Sequence, residues 1–128
     1  MKVKVAVVQD SPVFFDKEAC LQKVESIART HAAAGCQLIV FPESFIPGYP
    51  RGFTFGAVVG SRTEEGRQQY VDYVNQSIDL QGEDGKRLVQ LAADSGAYLV
   101  VGITEKDLPS GSLYCSICLL YTSDAADD

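Results

Sequence analysis

The stretch Ala97-Tyr98-Leu99-Val100-Val101-Gly102-Ile103 is apolar almost without interruption. A strand with so little alternation reads as buried on both faces, the habit of strands inside a covered, largely parallel sheet. Two other segments are its natural partners. Residues 3–9, Val-Lys-Val-Ala-Val-Val-Gln, are rich in β-branched side chains and are ended by Asp10-Ser11-Pro12, and Leu38-Ile39-Val40-Phe41 is a second short apolar run. Between them Cys20, Leu21, Val24, Ile27, Ala28 and His31 recur at three- and four-residue steps, with Lys17, Glu18, Lys23 and Glu25 largely opposite. That spacing predicts an amphipathic helix, capped by Asp16 and closed by Gly35 in a left-handed conformation. Strand, helix, strand in that order implies a parallel pair joined by a right-handed crossover.

The later chain continues the α/β pattern. Thr63 is placed to cap a helix that starts at Glu64-Glu65 and carries Tyr70, Tyr73, Val74 and Ile78 on one side. A further helix is expected from Glu83 and Asp84, with Leu88, Leu91 and Ala92 inward and Gly96 closing it. Glu105 and Lys106 are expected just beyond the end of the 97–103 strand. A turn at Asp107-Leu108-Pro109-Ser110-Gly111 then leads into a strand over residues 113–117 that pairs back as a hairpin.

The 128 residues, 46% of them apolar, are enough for one core. A net charge of −6 argues against a nucleic-acid surface, which needs clustered Lys and Arg. No apolar run approaches the roughly 20 residues of a bilayer span, and the first residues lack a signal-peptide cleavage pattern, so no membrane association and a cytoplasmic location are expected. The four cysteines, at 20, 36, 115 and 118, have no disulfide-framework spacing and read as reduced thiols. Cys115-Ser116-Ile117-Cys118 is formally a C-x-x-C pair, but there is no second pair and His31 is the only histidine, so no metal site is expected. His31 reads as packing in the last helical turn, next to the negative end of the helix dipole. There is no internal repeat, and neither G-x-G-x-x-G nor a Walker pattern occurs; no cofactor is expected.

The chemistry is expected where the second strand stops. Pro42 ends the run and Glu43 follows, at the carboxyl end of a strand, the side on which open α/β sheets bind ligands. Residues 44–60 then read as a long loop carrying Phe45, Tyr49, Phe53 and Phe55. Either these aromatics line a pocket, with Tyr49 as the candidate substrate contact, or they pack beneath the loop as a satellite cluster.

Val7-Val8-Gln9, Gly35-Cys36-Gln37-Leu38-Ile39-Val40-Phe41-Pro42-Glu43, Ile46-Pro47-Gly48-Tyr49-Pro50, and Val100-Val101-Gly102-Ile103-Thr104-Glu105 followed by Leu113-Tyr114 together resemble the N-terminal part of the nitrilase (carbon–nitrogen hydrolase) superfamily. The Pro-Gly-Tyr-Pro sequence leans toward the nitrilase branch. The resemblance implies the N-terminal half of an α-β-β-α sandwich and a catalytic glutamate, lysine and cysteine in that chain order, acting on a small nitrile or amide in a full-length homo-oligomer. Glu43 matches the glutamate, the general base for the cysteine, and a carboxylate buried at a strand end suits that task. The lysine and the nucleophilic cysteine of the pattern lie further along than this sequence runs. Lys106 precedes the hairpin and Cys115 occupies a position expected to be packed inside it, so neither matches. Glu105 matches a family position with a role in loop structure or in site support. From Cys118 the sequence departs from the family and is similar to the translation of a sequencing adapter, so residues 1–117 are expected to form the partial domain and 118–128 a non-native or disordered tail; an ordinary acidic, disordered C-terminus is the alternative. A non-catalytic α/β binding module and an amidase-branch hydrolase are the competing functional readings.

Overall fold

In the computed structural model residues 1–55 and 62–121 are described. The apolar runs become neighbours in one sheet: β1 (Val5–Val7), β2 (Leu38–Val40), β3 (Tyr98–Lys106) and β4 (Leu113–Leu120) stand side by side in that order. The first three are parallel and β4 runs antiparallel to β3. Ala6, Ile39, Leu99 and Leu120 align in one row across all four strands.

The helices begin where the sequence places them, but the second ends at Gln76, so Ile78, expected on its apolar side, lies beyond it and pairs with Glu105 as a short bridge. α1 (Lys17–Ala33) is capped by Asp16, whose side chain accepts from the Ala19 N–H at 3.0 Å. Gly35, at φ 92°, closes it: its N–H reaches the Ala32 carbonyl at 2.9 Å and the Cys36 N–H reaches that of His31 at 3.0 Å, the paired bonds of a Schellman motif. α2 (Glu64–Gln76) starts at Thr63, which accepts from the Gly66 N–H at 3.1 Å, and α3 (Glu83–Ser95) ends at Gly96 in the left-handed region.

α1 and α3 cover one face of the sheet. Cys20, Leu21, Val24 and Ala28 of α1 and Leu88, Leu91 and Ala92 of α3 close over Ile39, Leu99, Val101 and Ile103. Each large aliphatic side chain removed from water there is worth about 1.5–3 kcal/mol. Arg87 on α3 ties the two helices together, bidentate to Glu25 at 2.6 and 3.2 Å and bonded to Glu18 at 2.9 Å, and these carboxylates raise its pKa further.

The other face of the sheet is open. Val5 and Val7 of β1, Tyr98 of β3 and Ile117 and Leu119 of β4 are exposed there, Val7 by 76% and Ile117 by 75%. The double-sided burial expected of the 97–103 run is therefore realised only on the helix side, because no layer of the described residues lies against Tyr98 and Val100.

Strand ends also differ from expectation: β1 keeps only Val5–Val7 of the expected 3–9, β2 stops at Val40, one residue before Phe41, and β3 and β4 run longer. β3 runs on to Lys106, so Glu105 and Lys106 lie within the strand and not beyond it, held there by pairing with Tyr114 and Leu113. β4 continues past Ile117 to Leu120, with Cys118 buried opposite Val101. Of the tail expected from residue 118, residues 118–120 are thus strand, and residues 122–128 lie outside the described residues. Cys115 and Cys118, three apart on one strand, point to opposite faces, which rules out a dithiol pair; burial pushes the Cys118 thiol up.

An exposed apolar face of this kind makes the chain adhesive. Val7→Lys combined with Ile117→Lys is expected to lower binding of a hydrophobic dye and raise the monomer fraction in sedimentation, while changing stability by no more than about 0.5 kcal/mol. Unchanged dye binding and self-association would show that this face is not the exposed surface.

Candidate active site

β2 stops because Pro42 has no N–H to give the sheet. The last ladder contact is the Phe41 N–H to the Val100 carbonyl at 2.8 Å, and the chain then turns over β3 through Pro42, Glu43 and Ser44. Gly102 lies directly beneath this turn. A Cβ there would stand 2.2 Å from the Pro42 carbonyl oxygen and 2.7 Å from both Glu43 Cα and Ser44 N, distances no side chain tolerates. Glycine at 102 is thus the condition for the Glu43 backbone to rest on the sheet.

The turn is held from several sides. Buried Ser44 takes φ 46°, a left-handed conformation costing a non-glycine residue roughly 1–2 kcal/mol. Its carbonyl accepts from the Gly48 N–H at 3.0 Å, the Ile46 N–H reaches the Gly102 carbonyl at 3.3 Å, and the Thr104 N–H reaches the Ile46 carbonyl at 2.8 Å. Further on, the Tyr73 hydroxyl donates to the Gly48 carbonyl at 2.9 Å and lies 2.8 Å from Thr104 Oγ1. Burial pushes the Tyr73 phenol up, so it stays protonated through the neutral range and keeps this donor.

At the end of this fixed backbone the Glu43 side chain is exposed, contrary to the burial expected of it; it stands at the margin of the uncovered sheet face. Two clefts meet at it. One runs along the open face over Val40, Val100, Gly102, Cys115 and Ile117. The other is bounded by Pro42, Tyr49 and Arg51. Cys115, expected to be packed, is also exposed, because its pairing with Thr104 turns it to the open face; its Sγ lies 3.7 Å from Glu43 Oε1 and 3.4 Å from Ser44 Oγ.

The loop aromatics divide between the two expected roles. Phe45 is in the core against Phe41, with ring centroids 5.6 Å apart. Phe53 packs on Phe14 and Phe15 at 5.4 and 5.2 Å, and Phe55 packs on Tyr70 and Tyr73 at 5.5 and 5.7 Å, a satellite cluster that fastens the loop. Tyr49 alone of the four stands at the cleft, 58% exposed. Glu105 lies on the helix side of β3, where its Oε1 accepts from Ser116 Oγ at 2.9 Å, on the opposite face from Cys115. Lys106 lines neither cleft, and His31 borders a separate groove beside β1. Gly102, Tyr73, Cys115 and Arg51 were not singled out from the sequence as site residues. A lone glycine inside an apolar strand is the one available signal, since it often marks a close backbone approach.

The carbon-nitrogen hydrolase family model matches residues 4–125. The chain belongs to this family. Among curated relatives, the aliphatic nitrilase of Sinorhizobium fredii (strain HH103) is 43% identical over 123 residues, covering 96% of this chain and 39% of the relative. A bifunctional nitrilase/nitrile hydratase of Nicotiana tabacum is 43% identical over 115 residues, 90% of this chain and 32% of the relative. This carbon-nitrogen hydrolase chain therefore spans 32–39% of the length of such relatives. A CN-hydrolase superfamily protein of Xanthomonas campestris superposes with a TM-score of 0.68 at 13% identity, over 95% of this chain and 37% of that one, which is agreement of fold. The sheet with its single helical layer is the N-terminal half of the α-β-β-α sandwich of the family.

Gly102→Ala is expected to cost about 1–3 kcal/mol in chemical denaturation by forcing the Pro42–Ser44 turn off β3. Tyr73→Phe, which leaves the Gly48 carbonyl without its donor, is expected to cost about 1–2 kcal/mol. Wild-type stability in either variant would show that the turn is held by other means.

Proposed function

We propose that this chain carries the general base, Glu43, of a hydrolase that converts an organic nitrile to a carboxylic acid and ammonia, with Tyr49 as a substrate contact. The observation that carries the reading is a carboxylate fixed on a strained, multiply bonded turn at a strand end and open to a concave surface shared with Tyr49. Family membership and the nitrilase names of its relatives support the reaction class.

Glu43 would take the proton of a cysteine thiol, and the thiolate would attack the nitrile carbon. As the carbon–sulfur bond forms, the nitrile nitrogen gains the electron pair of the broken π bond and is protonated from Glu43, giving a thioimidate. Water adds to its carbon and ammonia leaves, and a second water cleaves the resulting thioester to the acid and the free thiol. A lysine would stabilise charge developing on the nitrogen. Both the lysine and that cysteine are assigned to sequence outside these 128 residues. Cys115 is the thiol within reach of Glu43 here, at 3.7 Å, and supports a second reading in which it is itself the nucleophile.

A chimera distinguishes these readings. Residues 1–120 replace the aligned segment of the Sinorhizobium fredii nitrilase, and ammonia release is measured from an aliphatic nitrile and its amide. Glu43→Gln is expected to lower nitrile turnover about 10²–10⁴-fold. Cys115→Ala is expected to leave turnover within about threefold of the parent. Undiminished turnover in Glu43→Gln would remove the base assignment, loss in Cys115→Ala would favour the second reading, and turnover of the amide alone would move the chain to the amidase branch. The 128-residue chain by itself is expected to release no ammonia.

A further inference from the structure

Arg51 has no part in the scheme above, yet it borders the same cleft as Glu43 and Tyr49. The other basic side chains on the helical side are largely engaged: Lys17 with Asp84, Lys23 with Asp10, Lys86 with Glu83, and Arg87 with Glu18 and Glu25. Arg51 makes no ion pair among the described residues. It is also not on a free-swinging loop. Its N–H turns back to the Tyr49 carbonyl at 2.8 Å, the backbone before it is tied down through Gly48 to Tyr73, and Phe53 after it packs against both Phe14 and Phe15. A guanidinium on a backbone anchored at both sides has less ordering entropy to lose on binding, and its planar fork matches a carboxylate bidentately. The cleft, of about 510 Å³, suits a small molecule. In a protein of net charge −6, an anion approaching Glu43 needs such a local cation.

We infer that Arg51 makes this site select nitriles that carry a carboxylate, holding the substrate's anionic end while the nitrile lies toward Glu43. The inference rests on Glu43 serving the reaction proposed above. It assigns Arg51 to specificity and not to bond-making, so the chemistry at an uncharged nitrile should not need it.

Two measurements test this. In the 128-residue chain labelled with ¹⁵N-arginine, 3-cyanopropanoate is titrated and the Arg51 Nε–H resonance followed, with butanenitrile as the uncharged control. A saturable shift with the anion alone is expected; no shift, or an equal shift with both, overturns the inference. In the chimera, Arg51→Leu is expected to lower kcat/KM for 3-cyanopropanoate about 10–100-fold, chiefly through KM, and to leave butanenitrile within about threefold, with Arg51→Lys between the two. Equal effects on both nitriles, or none, overturn it. Glu43→Gln separates the two proposals: if it abolishes both activities while Arg51→Leu does nothing selective, the base reading stands and the Arg51 inference falls. If Arg51→Leu is selective but Glu43→Gln is harmless, anion binding stands and the base reading falls.

Discussion

Backbone lies on backbone where the Pro42–Ser44 turn crosses Gly102, and the geometry around Glu43 follows from that contact. A parallel strand normally hands its chain to a loop that rises away from the sheet. Here the loop stays down, close enough for the Ile46 N–H and carbonyl to bond to Gly102 and Thr104, so that Ile46 behaves as one more residue of sheet next to β3. The left-handed Ser44 is the local cost of staying down, and the hydrogen bonds at Gly48 and Thr104 offset it. A carboxylate carried by such a turn has its Cα position settled by the sheet and only its side-chain torsions left free, which is the preorganisation a proton-transfer group needs.

The two faces of the sheet have different work. Toward α1 and α3 the side chains of Ile39, Leu99, Val101 and Ile103 make the core, and the Arg87 bonds to Glu25 and Glu18 fix how those helices meet. Toward the open side the strands present an apolar floor that ends at Glu43 and Cys115. The face is too apolar to be a solvent surface by composition, and in the α-β-β-α sandwich it is where sheet meets sheet.

Local signals made the helices legible: Asp16 and Thr63 as caps, Gly35 and Gly96 as left-handed stops, and three- and four-residue apolar spacing each act within a few residues. Strand existence was also legible, but strand length was not, because Glu105 and Lys106 are kept in β3 by partners in β4 and not by their own propensity. The apolar run at 97–103 correctly indicated a central strand. Its pattern speaks of a sheet covered on both sides, while the described residues supply only one cover. The placement of Glu43, after Pro42 at a strand end, and of Tyr49, on the loop that follows, was legible, and both border one cleft. Cys115 was misjudged, since alternation along a strand tells which residues share a face but not which face is covered. Tyr73 was read only as part of a helical stripe, and its hydrogen bond to Gly48 joins residues that no local pattern connects.

The hairpin between β3 and β4 has a bearing on the site despite lying away from it. Asp107 and Ser112 close it through a 2.9 Å bond, and Gly111 at φ 74° lets the chain turn back. Its length sets the register of β4, and register in a strand is binary: one residue added or lost would bring Cys118 and Leu120 to the open side and send Cys115 and Ile117 into the core. The hairpin is in this sense an address label, deciding at a distance which side chain of β4 is delivered to Glu43.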